Sequence, residues 1–192
     1  MNQLSELFPT ICSHSVDVYV ADYTNLTQSA RKVEISEEPF GDISYFHLRN
    51  PRRVRLVSVN LECNKSLVQG TKQCECLFRS SNAKKKPWLL LLELKYCLDK
   101  EVNLKDNAEY ALTQLNDTHQ VLISKGGEVF TNNRVYMNIS IPDHSHRQPF
   151  SNFIYPQNMI LKYFEVNKIQ LLGYNSLEVL NESYIKVPHI EV

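Results

Sequence analysis

The sequence predicts an α/β fold with a mixed central β-sheet flanked by helices. Three observations carry that expectation. From residue 54 to 166 the elements read strand, strand, strand, helix, strand, helix, the order of a layered α/β domain. Residues 88–96, Trp-Leu-Leu-Leu-Leu-Glu-Leu-Lys-Tyr, are apolar on both faces, as a central strand covered on both sides must be. Leu104, Ala108, Ala111, Leu112, Leu115 and Leu122 recur at helical spacing and form a single stripe.

Taken in order, residues 1–50 form an N-terminal arm with only two legible elements. Val16, Val18 and Val20 alternate with Asp17 and Tyr19, a short strand pattern, and residues 24–34 predict a helix capped by Thr24 or Asn25. Pro39, Gly41, Asp42 and Pro51 are breaks. Residues 54–61 are β-branched and predict the first core strand, and Gly70 marks a turn. Residues 73–79 predict a second strand and 80–87 a polar loop, with the third strand at 88–96. A helix over 104–123 follows, with Asn103 as N-cap and Gly126-Gly127 as its stop. Residues 134–141 alternate as a fourth strand ending at Pro142, and 143–152 are polar. Residues 157–166 predict a helix with Pro156 near its first turn, and 168–172 and 183–187 predict further strands. The first three core strands suit a meander, and the helix after the third permits a parallel crossover to the fourth.

A length of 192 residues fits one domain spanning 1–192. Lys plus Arg and Asp plus Glu each number 21, so no global field draws the chain to DNA or to an anionic membrane. Local basic patches keep nucleic acid open. Arg49, Arg52, Arg53 and Arg55 are the densest, with phosphate contact or a solvated strand end as its two readings, and Lys84–Lys86 form a solvated loop. The five cysteines, Cys12, Cys63, Cys74, Cys76 and Cys97, are irregularly spaced and read as reduced, mostly buried thiols suited to a cytoplasm. The start lacks a basic and an apolar signal region, and no apolar run approaches the roughly 20 residues of a membrane helix. A soluble, cytoplasmic protein without membrane contact is therefore expected. Asp143, His144 and His146 read as a polar loop rather than a metal site.

Glu93 and Lys95 interrupt the most apolar stretch of the chain. On a strand they share a face about 7 Å apart, and an unpaired buried charge there would cost several kcal/mol. Each other, a metal or water must compensate. If the hairpin loop centres near Lys84, Glu75 opposes Glu93 and Gln73 opposes Lys95. Two facing carboxylates repel, so one pKa rises unless a cation sits between them. Their hard oxygens suit Mg²⁺ or Mn²⁺, and a neighbouring lysine would offset charge developing on a phosphate.

Lys72-Gln73-Cys74-Glu75-Cys76-Leu77-Phe78, a polar loop, and then Leu91-Leu92-Glu93-Leu94-Lys95 resemble the PD-(D/E)XK nuclease superfamily over roughly residues 54–141. Ala111-Leu112-Thr113-Gln114-Leu115 is similar to the helix that follows in that superfamily. The resemblance implies a restriction-endonuclease-like core and a nuclease acting on DNA or RNA. It implies Glu75 and Glu93 as ligands of Mg²⁺ or Mn²⁺, Lys95 as the catalytic lysine, and Gln114 as a supporting residue. Spacing alone favours a polar helix rim for Gln114 over contact with the site. Two positions depart from the pattern: Glu75 stands where Asp is usual, and Cys74 where some members carry Pro. A first-helix acid is also usual, and Glu34, Glu37 and Glu38 are equal candidates for it. The alternative is a catalytically inactive nuclease-like fold acting as a binding or scaffold protein, and a homodimer is compatible with either. A small-molecule enzyme ranks last, since no GxGxxG, P-loop or GxSxG occurs.

Overall fold

A computed structural model describes residues 3–24, 32–64, 73–81, 86–96, 101–144 and 157–187. In chain order the elements are α1 (Gln3–Leu7), β1 (Cys12–His14), β2 (Val18–Asp22), β3 (Val33–Ser36), β4 (Phe46–Arg49), β5 (Leu56–Asn60), β6 (Cys76–Ser80), β7 (Trp88–Leu94), α2 (Glu101–Gly126), α3 (Glu128–Thr131), β8 (Arg134–Ser140), α4 (Gln157–Asn167), β9 (Ile169–Leu172), β10 (Ser176–Asn181) and β11 (Tyr184–Lys186). The fold is mixed α/β, with two mixed sheets among the described residues.

The first sheet runs β1-β5-β6-β7-β8-β9. β5, β6 and β7 form an antiparallel meander, and α2 carries the chain to β8, which lies parallel to β7. All seven residues of β7 are buried, as its two-sided apolar sequence requires. One face, with Leu77, Leu89, Leu91 and Met137, packs on Ala108, Ala111, Leu115 and Leu122 of α2. The other face, with Phe78, Trp88, Leu90 and Leu92, meets Val18, Val20, Phe46 and Leu48. Those residues belong to the second sheet, ordered β11-β10-β4-β2-β3. Helices therefore cover one face of the central sheet, as expected, and a second sheet, not foreseen from the sequence, covers the other. Trp88 joins the layers, its indole N–H donating to the Asn181 carbonyl at 2.9 Å.

Several sequence expectations change. The helix expected over 24–34 does not extend through 33–34, because Val33–Ser36 pairs with β2 as a strand; residues 25–31 lie outside the described residues. Asn103 is inside α2, which starts at Glu101, so it is not the cap. The second core strand begins at Cys76, since Gln73–Glu75 runs alongside Leu61 and Leu92 without completing a ladder. Cys74 and Cys76 are buried free thiols, whereas Cys12 and Cys63 are exposed, and Cys97 lies outside the described residues. Among the described residues no helix is long and apolar enough to cross a membrane.

The stop at the end of α2 has a steric basis. Gly127 adopts φ 51°, a left-handed conformation that glycine takes at little cost. A Cβ at Gly126 would come within 2.3 Å of two ring carbons of Phe130, which is fully buried and packs edge-on against Phe8. Gly126→Ala is expected to cost about 1–3 kcal/mol as an overpacked core site. Urea unfolding checks this: a midpoint equal to wild type would show that Phe130 has room to move.

Candidate active site at the end of the central hairpin

The β6–β7 ladder pairs Cys76 with Leu92 and Leu77 with Leu91. The ladder ends there, and the Glu75 backbone bonds one residue out of that register, sharing Leu92 with Cys76, where the loop-centre reading expected Glu75 directly opposite Glu93. The Glu75 N–H donates to the Leu92 carbonyl at 3.1 Å, and its Oε2 accepts the Leu94 N–H at 3.1 Å. Strand alternation puts Glu93 on the side of Leu89 and Leu91, toward α2. There the Lys95 ammonium donates to Glu93 Oε1 and, at 2.9 Å, to Gln114 Oε1. Gln114 Nε2 donates to the Gln73 carbonyl at 2.9 Å, so α2 is tied to the entry of β6. One turn on, Thr118 Oγ1 accepts the Cys74 N–H at 2.8 Å. The ammonium also lies 5.2 Å from the centre of the Tyr110 ring, a cation–π contact. Glu93, Lys95 and Gln114 thus meet at one place, with Glu75 near enough for their charges to act on it, and Gln114 contacts Lys95 directly rather than lying on a solvated rim.

This site is under electrostatic strain. The side chain of Glu93 is fully buried and Glu75 is 9% exposed. Burial pushes the Glu93 carboxyl up to about 7, although Lys95 opposes the shift. Burial, followed by the Glu93 charge, raises Glu75 well above the usual carboxylate range. For Lys95, burial pulls downward, but the two glutamates outweigh it and hold the ammonium charged. Glu93 Oε2 has no hydrogen-bond partner among the described residues. A buried oxygen left unpaired costs roughly 1–3 kcal/mol, more for a charged group, and a cation or a proton would relieve it.

Asp22, at the end of β2, is a participant that sequence reading missed. It is buried, and its charge raises both Glu75 and Glu93. Its N–H donates to the Tyr96 hydroxyl at 3.3 Å, which ties the second sheet to the chain just after β7. The only hint in the sequence is an acid closing an apolar alternation, and nothing local indicates its neighbour 53 residues on. Among the described residues no group of three or more His, Cys, Asp and Glu side chains is placed to hold a metal ion, so Asp22 contributes field rather than a third ligand.

None of the three candidates for a first-helix acid lies on a helix. Glu34 is in β3 opposite Ala21, Glu37 bonds His14, and Glu38 is in the turn after Ser36. The arginine cluster is partly neutralised: Arg49 lies 3.7 Å from Glu178, and Arg53 shares a cavity wall with Asp17 and Glu37. Asp143 and His144 sit in a short 3₁₀ turn, while His146, Lys84 and Lys85 lie outside the described residues.

A second constellation has the connectivity of a nucleophilic triad. His14 Nε2 is 2.8 Å from Ser58 Oγ, and its Nδ1 is 2.8 Å from Glu37. Ser58 is 1% exposed in the middle of β5, with β1 and β6 on its two sides. No substrate carbonyl can approach a hydroxyl held there, so this chain ties β1 to the end of β3. Compared with family models, curated proteins and solved structures, the sequence and its fold match none of them.

Proposed function

We propose that the chain is a metal-dependent nuclease of the PD-(D/E)XK type, hydrolysing phosphodiester bonds of DNA or RNA. The observation that carries this is the buried Glu93, whose Oε2 is unpartnered among the described residues, with Glu75 near enough for the Glu93 charge to act on it and Lys95 held by Gln114. The antiparallel meander followed by a parallel helical crossover supports a restriction-endonuclease-like core. Glu75 and Glu93 would hold the cation, and their hard oxygens fit Mg²⁺ or Mn²⁺ better than softer metals. When bound, such an ion supplies Lewis acidity and lowers the pKa of water. Lys95 donates hydrogen bonds to the negative charge that builds on the phosphoryl oxygens, and Gln114 with Tyr110 fixes where its ammonium points. Binding of the cation would release Lys95 from Glu93 toward substrate. A cytoplasmic location and a nucleic-acid partner belong to this proposal.

The complete burial of Glu93 favours a second reading, an inactive nuclease-like fold in which the Glu93–Lys95 pair is structural and the chain serves as a binding or scaffold protein. Melting with Mn²⁺ separates the two. An ion at a hundred times its dissociation constant stabilises by about 2.7 kcal/mol, a Tm rise of roughly 5–10 °C at this length. Glu75→Gln is expected to abolish that rise, together with EDTA-sensitive cutting. No Mn²⁺ effect on wild-type melting would favour the scaffold.

A further inference from the structure

At the opposite end of the central sheet lies a cavity of about 230 Å³ between the ends of α2, α3 and α4 and the starts of β8 and β9. Its walls carry Lys86, Lys168 and Thr131, its apolar part includes Phe130 and Ile169, and no described lining residue is acidic. His119 of α2 also lines it. We infer that this cavity binds a small phosphate monoester, with the phosphate between the lysines and the organic part on the apolar wall.

One feature of the protein calls for a ligand. His119 is 7% exposed, and neither ring nitrogen touches solvent or has a hydrogen-bond partner among the described residues. A native fold seldom leaves a buried polar group unpaired, because each costs about 1–3 kcal/mol. Binding would require the ring to turn so that one of these nitrogens meets the ligand. Burial holds His119 below the usual histidine range, so it is neutral until an anion arrives. Lys168 is the left-handed residue that ends α4, at φ 58° with its N–H donating to the Phe164 carbonyl at 2.8 Å, and this cap sets where its backbone stands at the cavity.

The size and chemistry narrow the ligand. The cavity is several times a water's share of about 30 Å³, but below the roughly 300 Å³ of a drug-sized pocket. Two lysines with no described acid select an anion, and the apolar wall selects one with an organic body. Lys86 precedes Glu93 by seven residues, roughly 20 Å of extended chain, so the lysine end of the cavity is separate from the carboxylate pair.

The test is an NMR titration that follows the His119 ring, using inorganic phosphate in one arm and uridine monophosphate in the other. The monoester is expected to shift the His119 resonances and to bind at least tenfold more tightly than phosphate. His119→Leu removes an unpaired buried group, so it should melt no lower than wild type and lose binding. Lys168→Gly removes one charge and keeps the left-handed cap, and should weaken binding roughly tenfold without lowering Tm. Equal affinity for phosphate and monoester overturns the monoester assignment. An unmoved His119 signal at tens of millimolar of both ligands, or full binding by His119→Leu, overturns the site.

Discussion

Lys95→Ala is expected to lose nucleic-acid cutting by roughly a hundredfold or more and to become unstable in a pH-dependent way. The activity loss follows from its role, since removing one charge-stabilising donor typically costs 10²–10³ in rate. The stability loss follows from Glu93, which is fully buried and has Lys95 as its cation. Without the ammonium, the folded-state pKa of Glu93 rises above its present value of about 7. A carboxyl whose pKa is higher folded than unfolded loses stability as pH climbs from the ordinary glutamate value toward the folded one. Near pH 5, Glu93 stays protonated in the variant and the fold should survive. At pH 8 the penalty approaches the roughly 3–5 kcal/mol of a broken buried pair. Melts at both pH values must accompany the assay. Equal losses of Tm at pH 5 and pH 8 would mean that Lys95 stabilises by packing alone, and undiminished cutting by folded variant would place the chemistry elsewhere.

The part of the fold legible in the sequence is the part built from local patterns. Trp88–Leu94 announces a central strand because all its residues must be buried, and Ala108, Ala111, Leu115 and Leu122 announce the helix that covers one face. The loop centre gives the hairpin register from Cys76 to Arg79, but not the slip at Glu75, which no local pattern announces. The second sheet was legible only at β2 and β11, and its other strands were not, for a physical reason. Its strands hold four or five residues in β2, β3 and β4, and β4 is paired in parallel with β10, nearly 130 residues later. Short strands stabilised by distant partners carry little local signal, and residues 33–34 were absorbed into a helix pattern instead. Asp22 was lost with them, because its effect on the site depends on that sheet packing against β6 and β7. The arginine cluster was conspicuous in sequence, yet Arg49 and Arg53 face acids contributed by other strands and loops.

Glu93→Gln is expected to do the reverse of Lys95→Ala for stability while sharing its loss of cutting. Burial pushes Glu93 up to about 7, so ionising it opposes folding even with Lys95 present. The penalty accumulates between the ordinary glutamate value and about 7 and is complete above that. Each pKa unit is about 1.36 kcal/mol, so a neutral isostere recovers on the order of 3 kcal/mol at pH 8 and little near pH 4.5. At 192 residues that corresponds to a Tm increase of roughly 5–10 °C at the higher pH. The change also takes away a charge that raises Glu75, adding in the same direction. A residue whose neutral isostere is more stable is retained at a cost to the fold, as expected of a site built to receive a cation. The double variant Lys95→Ala/Glu93→Gln should then melt well above Lys95→Ala alone at pH 8, since no buried charge is left behind. If Glu93→Gln instead lowers Tm at pH 8, the Glu93–Lys95 pair is a net stabiliser and the scaffold reading gains. If it raises Tm and leaves metal-dependent cutting intact, Glu93 is not a ligand.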